Sequence, residues 1–182
     1  AYAAVCYLRI VKNNNITVTL VAAKSKVAPL KPLSVPRLEL QAALLGTRLA
    51  KSIMQLRRIK TDSQFWWSDA KTVLRWLRID PIKFQQYVMH RVAEILEMTN
   101  VNQWRWVPSK QNPADFATKV PATSTEKIWF DGPDFLRADA DKWPQCDDFG
   151  TLDESEIKRC SLIIKKVHNL QRTLNSNWTR LV

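Results

Sequence analysis

Hydrophobic residues in the first 120 positions follow two different spacings, and the order of these spacings restricts the folds open to the chain. Segments 2–11 and 16–24 are rich in β-branched and aromatic side chains and flank a polar turn at 12–15, a pattern that predicts a β-hairpin. Apolar residues then recur every three or four positions between 38 and 56, which predicts a helix with Pro36 in its first turn.

The two spacings continue to alternate beyond this helix. Further segments predict, in chain order, a strand at 65–67, a helix beginning at 70, a helix at 84–99, a strand at 103–107 and a short helix at 113–119. Asn112 and Pro113 are a typical cap and first residue for the last of these helices. The order of strand, strand, helix, strand, helix, helix, strand, helix predicts an α/β domain over residues 1–120.

The composition changes beyond residue 120. Proline, glycine and acidic residues dominate 121–156, and isolated aromatic residues punctuate this stretch. It predicts an irregular extension over 121–153 that either packs on the domain or links it onward. A helical spacing returns at 154–174, from which we expect a helical connector over 154–182.

Basic residues are concentrated in the predicted domain. The chain carries a net charge of +11, and residues 1–120 hold 19 Lys and Arg against 7 Asp and Glu, a local net charge of +12. Such a surface attracts phosphate backbones, but it can equally serve as a solubilising surface, and charge alone does not separate the two interpretations. The candidate nucleic-acid contacts are Lys24, Lys26, Lys31, Arg48, Lys51, Arg57, Arg58 and Lys71.

Hydropathy and cysteine usage exclude several classes of protein. No run approaches the roughly 18 consecutive apolar residues of a membrane span, and the N-terminus lacks the pattern of a secretion signal. Cys6, Cys146 and Cys160 form neither an even disulfide set nor a CxxC zinc motif. We therefore expect an intracellular protein, cytoplasmic or nuclear, without structural zinc.

Three carboxylates lie at the ends of predicted elements. Glu39 falls in the first turn of the first helix, Asp69 at the C-terminal end of the strand at 65–67, and Asp115 in the first turn of the last helix. Carboxylates that converge from such positions can bind two Mg²⁺ ions about 3.5–4 Å apart, an arrangement suited to phosphodiester hydrolysis. Each also has a simpler interpretation, because Asp caps helices and an acid in a first turn favours the helix dipole.

Six sequence strings give these carboxylates a common context. The strings are VAAKSKVAPL, VPRLELQAALLGTRLA, WSDAKTVLRWL, HRVAEI, WRWVPSKQNPADFATK and the WPQ around Trp143. In this order and spacing they resemble the ribonuclease H region of Bel/Pao-type retrotransposon Pol polyproteins, over about residues 1–145. The resemblance implies a ribonuclease H-like fold, a mixed five-stranded sheet with flanking helices, which uses Mg²⁺ to cut the RNA strand of RNA–DNA hybrids.

The resemblance also implies roles for individual residues. Glu39 in PRLELQAA corresponds to the helix glutamate of the family, Asp69 in WSDAKTV to its second-site aspartate, and Asp115 in NPAD to its last aspartate. The histidine that many ribonucleases H place before the last aspartate has no counterpart at 109–111. The family's first strand, which supplies the first catalytic aspartate, would precede Ala1. We therefore expect this central strand to be missing and the isolated chain to be inactive.

Two alternatives to a nuclease remain open. One is a non-catalytic module that keeps the ribonuclease H fold and binds nucleic acid or protein; the other is a structural scaffold with an acidic tail, which the charge of residues 1–120 disfavours. Under the enzyme interpretation the partners are an RNA–DNA hybrid and the reverse transcriptase and integrase regions of the same polyprotein. Residues 154–182 resemble the lead-in to that integrase region.

Overall fold

The computed structural model describes residues 1–13, 15–57, 60–118, 126–151 and 154–158. Its strands are β1 (Tyr2–Lys12), β2 (Asn15–Lys26), β3 (Trp66–Ser68) and β4 (Trp104–Trp106). Its helices are α1 (Val35–Arg57), α2 (Lys71–Trp76), α3 (Gln86–Met98) and α4 (Glu126–Asp131). The 3₁₀ turns are Pro81–Lys83, Val101–Gln103, Ser109–Gln111, Pro113–Ala117, Asp134–Arg137, Ala140–Lys142 and Glu154–Glu156. No helix among these residues is long and apolar enough to cross a membrane.

The predicted mixture of strands and helices is confirmed, with two corrections. The helix expected at 113–119 is a 3₁₀ turn that ends at Ala117. The helix expected from 154 is wrong over its first residues, because Ile157 forms an antiparallel bridge with Phe84. A long-range backbone pairing therefore overrides the local apolar spacing at this point. The rest of the predicted connector, 159–182, lies outside the described residues.

The hairpin of β1 and β2 packs against α1 through small residues. The two strands are antiparallel, and a bulge places the extra residue, Val21, on β2, so the alternation of β1 is unbroken. A Cβ atom on Gly46 of α1 would lie 3.4 Å from the Cβ atom of Ala4, so the helix approaches this face of β1 closely. Tyr7 lies an odd number of residues from Ala4 and therefore points to the opposite face.

Strands β3 and β4 form a second, separate sheet. They are parallel, and Trp66 is paired with Trp104 at the start of the register. The rings of these two residues stack with centroids 5.7 Å apart, and the Trp104 indole N–H donates to the Thr99 hydroxyl over 2.9 Å. Within the described residues this sheet and the β1–β2 hairpin share no backbone ladder.

The main hydrophobic core lies among α1, α2, α3 and the Trp66 side of the second sheet. It is formed by Leu40, Leu44, Ala70, Val73, Leu74, Trp76, Leu77, Phe84, Val88, Val92, Ile95 and Trp104. On α3 the predicted positions Val88, Val92 and Ile95 are the ones that enter this core. On α1 the predicted stripe was wrong, because the core residues are Leu40 and Leu44, whereas Leu56 at the end of the predicted stripe is 83% exposed. The core therefore fixes α1 relative to the end of β3, where the candidate site lies.

Residues 126–143 cover the opposite face of both sheets. On the first sheet, the Tyr7 hydroxyl donates to the backbone oxygen of Trp129 over 2.7 Å, and Arg9 Nε donates to that of Leu136 over 2.8 Å. On the second sheet, the Trp67 ring contacts the rings of Phe135 and Trp143, with centroids 4.8 and 5.5 Å away. The two sheets consequently share α1 on one side and residues 126–143 on the other.

Candidate metal centre

The candidate site is built at the C-terminal edge of the second sheet. Parallel strands end at the same edge, so the residues that follow β3 and β4 emerge side by side. The Val107 N–H donates to the backbone oxygen of Ser68 over 3.1 Å, which continues the pairing one step past β4. Asp69 follows directly on one strand, and the segment leading to Asp115 follows on the other.

Asp69 is available for a role other than helix capping. The N-cap residue of α2 is Ala70, and no side chain caps this helix. The backbone N–H of Ala70 instead donates a hydrogen bond to the Ser68 hydroxyl oxygen over 3.1 Å. The simpler interpretation of Asp69 as a helix cap is therefore wrong.

Asn112 connects the two strand ends through a side chain with two functions. Its Oδ1 accepts from the Ala114 backbone N–H over 3.2 Å, which is the predicted capping contact. Its Nδ2 donates to Asp69 Oδ1, also over 3.2 Å. The second contact orients the Asp69 carboxylate and draws the segment that carries Asp115 towards it. Sequence patterns predicted only the cap, because the partner of the second contact lies 43 positions away in the chain.

Glu39 was predicted in the first turn of α1 and lies just beyond it. The helix begins at Val35, and the Leu38 N–H already donates to the Ser34 backbone oxygen over 3.1 Å, so no acidic residue occupies the first turn. Pro36 supports this earlier start, since proline lacks an N–H that the first turn would leave unbonded. The helix dipole acts mainly within the first turn, so it accounts poorly for a carboxylate at Glu39.

The charge of Asp69 acts on Glu39 although the two residues come from different elements. The pKa of Glu39 is raised above its usual value, first by burial of the carboxyl group and second by the negative charge of Asp69. Both causes oppose ionisation of Glu39, and a bound cation would relieve both. The pair consequently fits part of a site for a hard divalent cation, whose preferred ligands are carboxylate oxygens.

Asp115 reaches the same edge by way of Asn112. It occupies the first turn of Pro113–Ala117, and its backbone N–H donates to the Asn112 oxygen over 3.2 Å. In the part of the chain that is described, no three His, Cys, Asp or Glu side chains form a ready metal-binding group. The charge of Asp69 thus acts on Glu39, and the Asn112 amide connects the segment that carries Asp115 to Asp69.

The basic candidates differ in how far their charge is already neutralised. Lys24, Lys26, Lys31 and Lys51 are exposed. Arg48 is committed to Glu94 through two bonds of 2.6 and 2.7 Å, and this hydrogen-bonded pair lowers the pKa of Glu94. The side chain of Arg57 and the whole of Arg58 lie outside the described residues.

Lys71 lies closest in sequence to the carboxylate pair. Its Nζ atom is 5.5 Å from the centroid of the Trp106 ring, a cation–π contact that holds the ammonium group two residues after Asp69. Trp106 ends β4, and its contact with Lys71 was not predicted because cation–π partners leave no local sequence signal. Lys71 is therefore the candidate cation nearest in sequence to Asp69, and its ammonium group lies against the last residue of β4.

Comparison with known proteins gives one family match. Residues 1–70 match the family described as Pao retrotransposon-like RNaseH-like domain, a span that includes Glu39 and Asp69 and ends before Asp115. No curated protein and no solved structure matches the chain.

Proposed function

We propose that the chain is a fragment of a retrotransposon Pol polyprotein, because residues 1–70 match the Pao retrotransposon-like RNaseH-like domain family. Its parental activity is Mg²⁺-dependent hydrolysis of the RNA strand of RNA–DNA hybrids. The observation that carries this proposal is the position of Glu39 on α1, where its carboxyl group is partly buried and the negative charge of Asp69, at the end of β3, further raises its pKa. A carboxyl group whose ionised form is disfavoured in this way is typical of a functional site.

The proposal assigns the cation to Glu39, Asp69 and Asp115. When bound, a divalent cation supplies the charge that activates water and stabilises the leaving oxygen. Asn112 keeps the Asp69 carboxylate in one orientation, and α1 keeps Glu39 beside it. Lys71, held against the Trp106 ring, binds a phosphate oxygen of a neighbouring nucleotide and so positions the strand.

The two separate sheets support a further part of the proposal. The edge of β1 that faces away from β2, and the edge of β3 that faces away from β4, have no ladder partner within the described residues. Because α1 and residues 126–143 enclose both sheets, an extended segment between these edges would join them into one five-stranded sheet. We place the family's first strand, with its catalytic aspartate, between β1 and β3, where it would pair with both open edges.

The alternative function is a non-catalytic nucleic-acid-binding module that retains the ribonuclease H fold. Two observations favour it. Among the described residues, no three carboxylate, histidine or cysteine side chains form a metal-binding group, although the charge of Asp69 acts on Glu39. The domain nevertheless carries exposed lysines that can contact phosphates. In this case Glu39 and Asp69 are what remains of the catalytic site of the parental enzyme.

A cleavage assay separates the two functions. A labelled RNA–DNA hybrid is incubated with Mg²⁺ or Mn²⁺ and with three proteins: the chain itself, the chain preceded by a strand-forming segment that ends in Asp, and the same extension ending in Asn. We expect cleavage only by the Asp-extended protein, and we expect Asp69→Asn to abolish it. Robust cleavage by the unextended chain would refute the need for a further carboxylate. Hybrid binding without cleavage by the Asp-extended protein would support the alternative.

A further inference from the structure

Residues 154–158 form a clasp that crosses the starts of α1 and α3. The clasp adds a short antiparallel pairing to the chain just before α3, through the Phe84–Ile157 bridge. Two backbone bonds flank the bridge, from the Gln85 N–H to the Glu156 oxygen over 2.7 Å and from the Lys158 N–H to the Lys83 oxygen over 2.8 Å. The clasp is therefore attached by backbone contacts that are independent of its side chains.

One side chain of the clasp reaches α1. Glu156 is only 6% exposed, and its carboxylate binds the Arg37 guanidinium through both oxygens, with Nε–Oε1 and Nη2–Oε2 distances of 2.7 and 2.9 Å. A two-bonded carboxylate–guanidinium pair fixes direction as well as distance. The clasp consequently restrains the orientation of the first turns of α1.

Tyr87 extends the same contact to α3. The Arg37 guanidinium lies 4.8 Å from the centroid of the Tyr87 ring, and the Gln41 amide lies 2.9 Å from the Tyr87 hydroxyl. Arg37 and Gln41 are one turn apart on α1, so both contacts come from one side of the helix. This side of α1 is thereby joined both to the clasp and to the start of α3.

We infer that Arg37 and Glu156 are positioning residues which, through the clasp, hold the start of α1 so that Glu39 stays beside Asp69. Arg37 and Glu39 are two residues apart, roughly 200° around the helix, so the clasp acts on the side opposite the carboxylate pair. Rotation or lifting of this turn would move Glu39 away from Asp69.

A second ion pair of the same geometry provides a matched control. Arg48 and Glu94 also join α1 to α3 through two bonds, but this pair lies further along α1 and is exposed. Removal of one partner from a buried pair leaves an uncompensated charge, whereas loss of an exposed pair is screened by solvent. Glu156→Gln and Glu94→Gln therefore remove the same chemical group from two different sites.

The test is amide hydrogen exchange of the full chain. Glu156→Gln is expected to accelerate exchange at Leu38, Glu39 and Leu40 by about tenfold, because the first turns of α1 then open locally. Glu94→Gln is expected to leave those amides unchanged. The charge-swapped protein Arg37→Glu/Glu156→Arg is expected to restore slow exchange, which a loss of packing alone would not allow.

Unchanged exchange at Glu39 in Glu156→Gln would overturn the inference, whether or not faster exchange at Gln85 and Lys158 shows that the clasp is released. Failure of the charge swap to restore protection, in a protein that remains folded by far-UV circular dichroism, would also overturn it. The purpose given to the clasp rests on the proposed function, but exchange is measured without metal or substrate. A chain that never binds Mg²⁺ would thus refute the proposed function and leave the clasp standing.

Discussion

The ionised carboxylate of Glu39 is disfavoured in the folded chain by burial and by the charge of Asp69. Burial and the charge of Asp69 raise its pKa, whereas Glu94, on α3, has a lowered pKa because Arg48 binds it. The two glutamates thus contribute to stability with opposite signs. A carboxylate kept at such a cost is typical of a binding site, where function and stability compete.

We predict that Glu39→Gln stabilises the metal-free chain near neutral pH by up to about 1 kcal/mol. The folded pKa of Glu39 lies above its unfolded value, so any stability it contributes is present below the unfolded pKa and is lost as pH rises through the folded pKa. The advantage of Glu39→Gln should therefore disappear in acid. Urea unfolding at several pH values measures it.

Glu94→Gln is the control for this prediction and should behave in the opposite way. The lowered pKa of Glu94 contributes stability above its unfolded pKa, and this contribution is lost as pH falls through the folded pKa. Because the pair is exposed, the loss at neutral pH should be below about 1 kcal/mol. If both variants destabilise the chain equally at neutral pH, the electrostatic description of Glu39 is wrong.

At the scale of elements, the segment 126–143 depends on a close approach at one glycine. Gly132 and Gly150 both have positive φ angles, 71° and 77°. A Cβ atom on Gly132 would lie 3.1 Å from Val18 Cγ1, whereas one on Gly150 would meet nothing within 4 Å. An alanine would adopt the same unfavourable backbone conformation at either position, but only at Gly132 would its side chain also meet a neighbouring atom.

We predict that Gly132→Ala destabilises the chain by about 1 kcal/mol more than Gly150→Ala, since the first adds overlap with β2 to the conformational cost that both share. Denaturant unfolding of the two variants provides the comparison. Equal losses would show that the chain at Gly132, just after α4, does not approach Val18 of β2 as closely as described.

Trp143 is the second anchor of this segment, and it contacts both sheets. Its ring is 4% exposed and lies against Trp67, with the Arg9 guanidinium 5.5 Å from its centroid. We predict a loss of about 3–5 kcal/mol for Trp143→Ala, by the removal of a large buried side chain. Phe130→Ala, at a residue 59% exposed, should cost below about 0.5 kcal/mol. Similar losses from the two variants would contradict the packing of 126–143.

Local patterns predicted these elements well and their long-range contacts poorly. The 3.6-residue spacing predicted α1 and α3 because most of their stability comes from the face that each buries. The same reasoning failed at Ile157, whose bridge to Phe84 is a pairing between segments far apart in the chain. For the same reason the sequence indicated Asn112 as a cap and gave no sign of its bond to Asp69.

At the scale of the whole molecule, charge is divided between two faces of the layered structure. The exposed Lys24 and Lys26 lie at the end of β2, whereas Lys127 and Lys142 lie on the covering segment 126–143. Replacing either pair of lysines by glutamine changes the net charge by the same amount. Their comparison therefore tests which face meets nucleic acid.

We predict that the chain binds an RNA–DNA hybrid with an affinity that falls linearly, on logarithmic scales, as salt rises. Lys24→Gln/Lys26→Gln should reduce the slope by nearly two, about 0.9 for each lost phosphate contact, whereas Lys127→Gln/Lys142→Gln should leave it unchanged. Fluorescence anisotropy across a salt series provides the measurement. If the two double variants changed the slope equally, binding would depend on net charge and not on which face carries the lysines.

The central claim is that Glu39, Asp69 and Asp115 are ligands of one cation. Titration of the isotope-labelled chain with Mn²⁺, followed by nuclear magnetic resonance, tests it directly, because the paramagnetic ion broadens only nearby resonances. We predict that the resonances of all three residues broaden together, before those of the acidic segment 126–151, and that Asp69→Asn abolishes this early broadening. Sharp Asp115 resonances at Mn²⁺ concentrations that broaden Glu39 and Asp69, or earlier broadening in 126–151, would contradict the claim.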